Sequence, residues 1–140
     1  MALYLDRETC DANHERFIRR VIQHETVWCL QSGTSVATSV SNDDEETGIM
    51  MYWSDRAYAT RVKKNGFEEH AETNIDLFDF LYRWLPGMKQ DGFLAGTNWT
   101  QDLIGIEIDP IALQEQLLSE LPKELRQKHL ETCQRLQQGH

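Results

Sequence analysis

Cysteine is scarce in this chain and poorly placed for cross-linking. There are three, Cys10, Cys29 and Cys133. The number is odd, the spacings are wide and no Cys-x-x-Cys pair occurs, which excludes a disulfide frame as the basis of the fold. Free thiols in a reducing compartment are the expectation. Long apolar runs are also missing. Nothing approaches the roughly 18 apolar residues that a membrane-crossing helix needs, so no membrane span is expected. The opening MALYLDRETC reaches its first charge after five residues, with no basic region ahead of them, so it does not read as a signal peptide. A cytoplasmic location follows as an expectation.

Positive charge is in deficit. Lys and Arg total 14 against 23 Asp and Glu, giving a net charge of −9. Nucleic-acid binding is not expected, because phosphate contacts need a concentrated basic face. A basic protein partner would be attracted instead, although an acidic surface also serves plain solubility. Reaction motifs are absent too. No G-x-S-x-G elbow, cysteine-protease signature, phosphate loop or dinucleotide fingerprint occurs. Gly87, Gly92, Gly96 and Gly105 each have a turn or strand-bend reading.

What is present is an ordinary globular balance over 140 residues, 40% hydrophobic and 26% charged. A chain of this length buries about two-thirds of its unfolded surface and needs no staple. One domain is therefore expected over residues 1–121, followed by a helical extension over 122–140.

Local patterns supply the elements. A helix is predicted from Glu8 to His24, with Phe17, Ile18, Val21 and Ile22 as its apolar side and Asp6 or Thr9 as its cap. Val27–Leu30, Ser35–Ser41 and Ile49–Trp53 read as strands, and their short links favour an antiparallel meander. Ser54-Asp55 opens a helix that Asn65-Gly66 closes. Phe67–Thr73 is read as extended. Asp76 caps a helix whose stripe is Leu77, Phe80, Leu81, Trp84 and Leu85, and Pro86-Gly87 is read as its stop.

Strands follow at Phe93–Gly96 and Ile104–Ile108. Asp109-Pro110 starts a helix with Leu113, Leu117 and Leu121 on one side. The chain finishes, after Pro122, in a mostly polar helix with Leu125, His129, Cys133 and Leu136 on one side. That last helix can pack on the body, mediate self-association or fray. The order α-βββ-α-(β)-α-ββ-α-α defines an α+β fold, a largely antiparallel sheet with packed helices.

Several short motifs occur in a telling order. They are Arg16-Phe17-Ile18 with Val21, Val27-Trp28 with Leu30, WSDRAYA over Trp53–Ala59, Ile75-Asp76-Leu77, Trp84-Leu85-Pro86-Gly87 and Asp91-Gly92. From His14 to Leu121 the chain resembles an uncharacterised bacterial family, domain of unknown function 2750. The resemblance implies a small single-domain bacterial protein. It transfers no catalytic or binding residue.

Candidate chemistry is thin. Cys10 and His14 share a helix face at i, i+4, but no second ligand pair accompanies them, so packing is the plainer reading and no metal is expected. Cys29 in an apolar strand reads as inert. Glu68, Glu69 and His70 cluster in sequence, yet adjacent residues of an extended segment point apart. No catalytic residue and no cofactor is assigned. Arg16, Arg19 and Arg20, with Arg56, Arg61, Lys63 and Lys64, give two helices basic sides that can recognise an anion or simply be solvated.

Two features carry the candidate partner-binding residues. Asp43, Asp44, Glu45 and Glu46 form the densest charge run, either a solubilising turn or a landing site for a basic protein. Trp99, in the turn Asn98–Asp102, is a contact residue if exposed, or packing if it folds back on the body. The reading is a non-enzymatic protein-binding module of adaptor or immunity-like type. The alternative is a small-molecule binder or enzyme with a pocket between sheet and helices, for which His70, Glu68, Glu69 and Cys10 are the first candidates.

Overall fold

The computed structural model describes residues 6–138. Residues 1–5 and 139–140 lie outside the described residues, His140 among them.

Helix α1 (Arg7–His24) starts where Asp6 accepts the Thr9 N–H at 2.7 Å, and it buries Cys10, Phe17, Ile18 and Val21. Glu25, with φ 53°, takes the left-handed conformation that ends the helix. Strand β1 (Thr26–Ser32) follows at once and pairs antiparallel along most of its length with β5 (Ala71–Asp76).

The segment expected as one strand over Ser35–Ser41 is broken into β2 (Ser35–Val36) and β3 (Thr38–Val40). Ala37 between them is the corner. Its N–H donates to the Leu30 carbonyl at 2.7 Å, and its carbonyl accepts the Met51 N–H at 3.5 Å. The chain thus changes partner strand at one small, buried residue. β2 pairs with β1, and β3 pairs with β4 (Gly48–Tyr52).

Two sheets result, in the orders β2-β1-β5 and β3-β4-β6-β7, where β6 is Leu94–Thr97 and β7 is Ile106–Ile108. A reciprocal backbone pair between Trp28 and Trp53, both bonds 2.8 Å, also ties them together. The pairing is mostly antiparallel, but β4 and β6 run parallel. The meander expectation stops there for a physical reason. Helix α2 (Arg56–Lys63), β5 and a further helix lie between β4 and β6 in the chain, which is the long crossover that parallel pairing requires.

That further helix, α3, is continuous over residues 77–90 in three parts: Leu77–Asp79, a π-helical turn Phe80–Trp84, and Leu85–Gln90. Asp76 accepts the Phe78 N–H at 3.0 Å, as its capping role requires. Pro86-Gly87 does not stop the helix. The Leu85 N–H reaches back to the Phe80 carbonyl, so the register widens just before the proline. In that register the missing N–H of Pro86 leaves the Leu81 carbonyl free, and the Gln114 side chain donates to it at 2.8 Å. A side chain from another helix therefore offsets the break. The helix ends at Asp91-Gly92, where Gly92 has φ 81°.

Helix α4 (Pro110–Glu120) is capped by Asp109, which accepts N–H groups of Ile111 and Ala112. Helix α5 (Lys123–Gln138) docks through His129, whose ring lies edge-on to Phe78 and Tyr82 at 5.4 and 5.7 Å. Burial holds that imidazole below its ordinary pKa. Leu130 and Leu136 on the same helix are exposed.

Alternation along β4 sorts the interior into two cores. Tyr52 joins Phe17, Val21, Cys29, Leu77, Phe80, Leu81, Leu85, Leu113 and Leu117 against α1, α3 and α4. Ile49, Met51 and Trp53 face the other way, with Leu30, Ala37, Ala59, Val62 and Trp99. Each fully buried Leu or Phe contributes about 1.5–3 kcal/mol of transfer free energy. The whole is a single α+β domain, with its sheets covered on both faces. No helix is long and apolar enough to cross a membrane among the described residues.

Candidate functional site

Beside the second core a cleft lies at the meeting point of α1, α2 and the β6–β7 loop. Asn98 organises that point. Its φ of 48° is one that asparagine tolerates better than most residues. Its Oδ1 accepts the Ser54 N–H at 2.9 Å, and its Nδ2 donates to the Asn13 carbonyl at 3.2 Å and to Ser54 Oγ at 3.1 Å. The end of β6, the start of α2 and the middle of α1 are held together by this one amide.

Trp99 then turns inward. Only 2% of it is exposed. Its indole Nε1 donates to the Ile106 carbonyl at 2.8 Å, and its own carbonyl accepts the Trp53 Nε1–H at 2.9 Å. Gly96 and Gly105 make room for the ring. A Cβ on Gly96 would sit 2.7 Å from Trp99 Nε1, and one on Gly105 would collide with the indole Cδ1. Trp99 is therefore not the exposed aromatic that a contact role needs. It is a core residue delivered by a loop, because a large apolar ring gains more from burial than a turn loses by closing over it.

The loop closes on itself through Thr100 N–H to the Ile104 carbonyl at 3.0 Å, and Asn65 Nδ2 pins the Gln101 carbonyl at 2.5 Å. Between this rim and the two helices lies a cleft of about 660 Å³. Tyr58 gives it apolar surface, with Val62 and Trp99 almost fully buried behind it, while Asn13, Gln101 and Asp102 give it polar surface.

Two cations line the same cleft, Arg16 from α1 and Arg61 from α2. Arg16 Nη1 donates to Asn13 Oδ1 at 2.8 Å, and the Arg61 guanidinium lies 5.7 Å from the Tyr58 ring centre. Neither forms an ion pair among the described residues. Arg20, one turn further along α1, shows the contrast. It makes a two-bond fork with Asp55, at 2.7 and 2.6 Å. That fork holds the Asp55 carboxyl below its usual range. It also explains why Asp55, at the cap position of α2, makes no side-chain capping bond there.

The acidic turn lies elsewhere, between β3 and β4. Asp44 is spent on the turn itself. Its Oδ1 accepts the Glu46 N–H at 2.9 Å and its Oδ2 the Thr47 hydroxyl at 2.7 Å, which lowers its pKa. Glu107 of β7 reaches across to accept from the Ser41 hydroxyl and the Asn42 N–H. Asp43, Glu45 and Glu46 are exposed and form no ion pair among the described residues.

His70, Glu68, Glu69 and Cys10 do not converge on the cleft. His70 lies edge-on to Phe67 at 5.4 Å, Glu68 folds onto the Gly66 N–H at 3.3 Å, and Glu69 is exposed. Cys10 is buried on α1, and burial raises its thiol pKa. None of the four lines the cleft. Cys29 is likewise pushed up by burial, to about 11, which leaves it protonated and unreactive at neutral pH.

His14 is not poised for a metal. Its Nε2 lies 2.8 Å from Gln116 Oε1 and its Nδ1 2.7 Å from Thr97 Oγ1. The amide oxygen only accepts, so Nε2 carries the proton and the Thr97 hydroxyl donates to Nδ1. The ring brackets α1, β6 and α4. No group of three or more His, Cys, Asp or Glu side chains is arranged to hold a metal among the described residues.

A single α+β domain with a polar, arginine-bearing cleft is thus the class of protein in hand. The family model "Protein of unknown function (DUF2750)" matches residues 14–117, and the chain belongs to that family. No match was found among the curated proteins or among the solved structures.

Proposed function

We propose that this is a non-enzymatic binding protein whose ligand is an anion, held in the cleft between α1, α2 and the β6–β7 loop. One observation carries the reading. Arg16 and Arg61 line one cleft without a carboxylate partner, in a chain whose net charge is −9. Arg7, Arg20 and Arg83 pair with carboxylates; among the described residues Arg16 and Arg61 do not, and they are the two arginines that line the cleft. Two guanidiniums left free at one concavity match planar anionic groups, which they bind through paired N–H donors. No histidine or cysteine lines the cleft, so the lining supports holding a ligand better than transforming it.

Calorimetric titration with glutarate and with inorganic phosphate tests this. Binding of either that is lost in the double variant Arg16→Ala/Arg61→Ala supports the reading. Identical binding by that variant and the parent would remove it.

A second reading has its own observation. Asp43, Glu45 and Glu46 project from a turn that Asp44 and Glu107 hold in shape. Fixed, exposed carboxylates of one sign steer a basic protein partner. This is the adaptor or immunity-like role, and it uses residues that do not line the cleft. Reversing all three charges to lysine and comparing pull-downs from a bacterial lysate tests it. An unchanged set of captured proteins would count against it.

A further inference from the structure

We propose that the ligand of the cleft is an acidic α-amino acid, a dicarboxylate that also carries an ammonium group. This rests on the reading of the cleft as an anion site and adds the chemistry of the anion.

The argument starts from the signs of the lining charges. Arg16 comes from α1, Arg61 from α2 and Asp102 from the β6–β7 loop. The cleft therefore presents two cations and one anion, each from a separate element, and carries one net positive charge. A phosphate or a plain dicarboxylate satisfies the guanidiniums but brings like charge towards Asp102. Like charges held close disfavour one another, and the cost rises as water is displaced. A dicarboxylate with an ammonium group gives each guanidinium a carboxylate and gives Asp102 a cation. Its single net negative charge matches the single net positive charge of the site.

The neutral lining agrees. Asn13 spends its Oδ1 on Arg16, which keeps its Nδ2 as a donor. The Gln101 backbone is fixed by Asn65, while its exposed side chain is at the rim. Both amides can donate to a carboxylate oxygen. Tyr58 supplies apolar wall for the methylene stem between two carboxylates. A cleft of about 660 Å³ is larger than such a ligand, and bridging water fills the difference at little cost.

Asp102 is the residue that separates this idea from generic anion binding. Its backbone N–H is held by the Thr100 hydroxyl at 3.3 Å, and its side chain is at the surface. The variant Asp102→Asn changes the charge without a buried packing change.

The experiment is calorimetry at neutral pH and low salt with four probes: L-glutamate, L-aspartate, glutarate and inorganic phosphate. The expected result is that one of the two amino acids binds at least about tenfold more tightly than glutarate, the size of one charge-assisted hydrogen bond. Asp102→Asn should abolish that preference, and Arg16→Lys should weaken glutamate and glutarate alike by losing the fork. Unchanged unfolding midpoints for both variants confirm that each still folds.

Glutarate or phosphate binding as tightly as both amino acids, with no effect of Asp102→Asn, overturns this inference and leaves the anion site standing. No heat and no shift in melting temperature with any probe overturns both.

Discussion

Two loops of the same four-stranded sheet behave in opposite ways. The β3–β4 turn, Asn42–Thr47, sends its charged side chains out and is shaped by Asp44 and Glu107. The β6–β7 loop, from Asn98 to Gly105, sends its largest side chain in and is shaped around it. The first is wholly polar and the second mixes Asn, Thr, Gln and Asp with Trp99, Leu103 and Ile104, yet both read as turns. The difference lies in what each has next to it. The acidic turn has its own backbone, Glu107 and, through Asn42 Nδ2 at 3.4 Å, the Leu103 carbonyl of the other loop for partners. The other has Trp53, two glycines that yield space, the middle of α1 and the ends of α2. A loop that buries an anchor becomes a wall, and the cleft exists because that wall is fixed.

The comparison can be broken most sharply at Trp99. Trp99→Ala should cost about 3–5 kcal/mol, as full truncation of a buried aromatic does. Chemical unfolding should show it as a lowered midpoint. A cost below about 1 kcal/mol would mean that the loop is no anchored wall.

Asn98 comes next. Asn98→Ala removes three hydrogen bonds and strands the Ser54 N–H in a buried site, at a cost of about 1–3 kcal/mol. Ligand affinity should fall with it, because α1, α2 and the loop lose their common tie. Calorimetry on the folded variant reads that second effect.

The acidic turn should show a smaller, local effect, driven by pH. Asp44 has its pKa lowered chiefly by the Thr47 hydroxyl, then by the Glu46 N–H, and those bonds outweigh the opposing effect of desolvation. A carboxyl lowered on folding stabilises above its unfolded pKa and loses that contribution as pH falls through its folded one. Amide exchange at Glu46 should therefore quicken as pH is taken below the ordinary aspartate value of 3.8, after correction for intrinsic exchange. Asp44→Asn should flatten that dependence.

Least of all is expected from the exposed carboxylates. Replacing Asp43, Glu45 and Glu46 together by lysine should leave the unfolding midpoint where it is, within the roughly 0.5 kcal/mol usual for surface changes. A large loss would show that the turn is held from outside as the Trp99 loop is.

Much of the fold is legible in the chain. Asp6, Asp76 and Asp109 cap the helices that their positions predict. Of the stripe Leu77, Phe80, Leu81, Trp84 and Leu85, all are fully buried except Trp84, which is half-buried against the same core. The site is legible only in pieces. Arg16 and Arg61 stand out as charges on two helices, and Asn98–Asp102 as a turn, but nothing in the chain joins them. Pro86-Gly87 misleads for a related reason. A proline is a helix stop when its lost bond goes unanswered, and here Gln114 answers for the freed Leu81 carbonyl. The single strand expected over Ser35–Ser41 fails similarly, since Ala37 changes partner only because Leu30 and Met51 lie on either side of it.

By itself the sequence determined most of the elements, the caps at Asp6, Asp76 and Asp109, and the apolar faces, together with the acidity of the chain. Those depend on residues within a few positions of one another, where spacing fixes geometry. Only the tertiary structure decided that Trp99 is buried, that β4 and β6 run parallel, and that Arg16, Arg61 and Asp102 share a cleft. Each of those outcomes needs segments far apart in the chain to meet, and the energy of meeting is set by which surfaces they bury against each other.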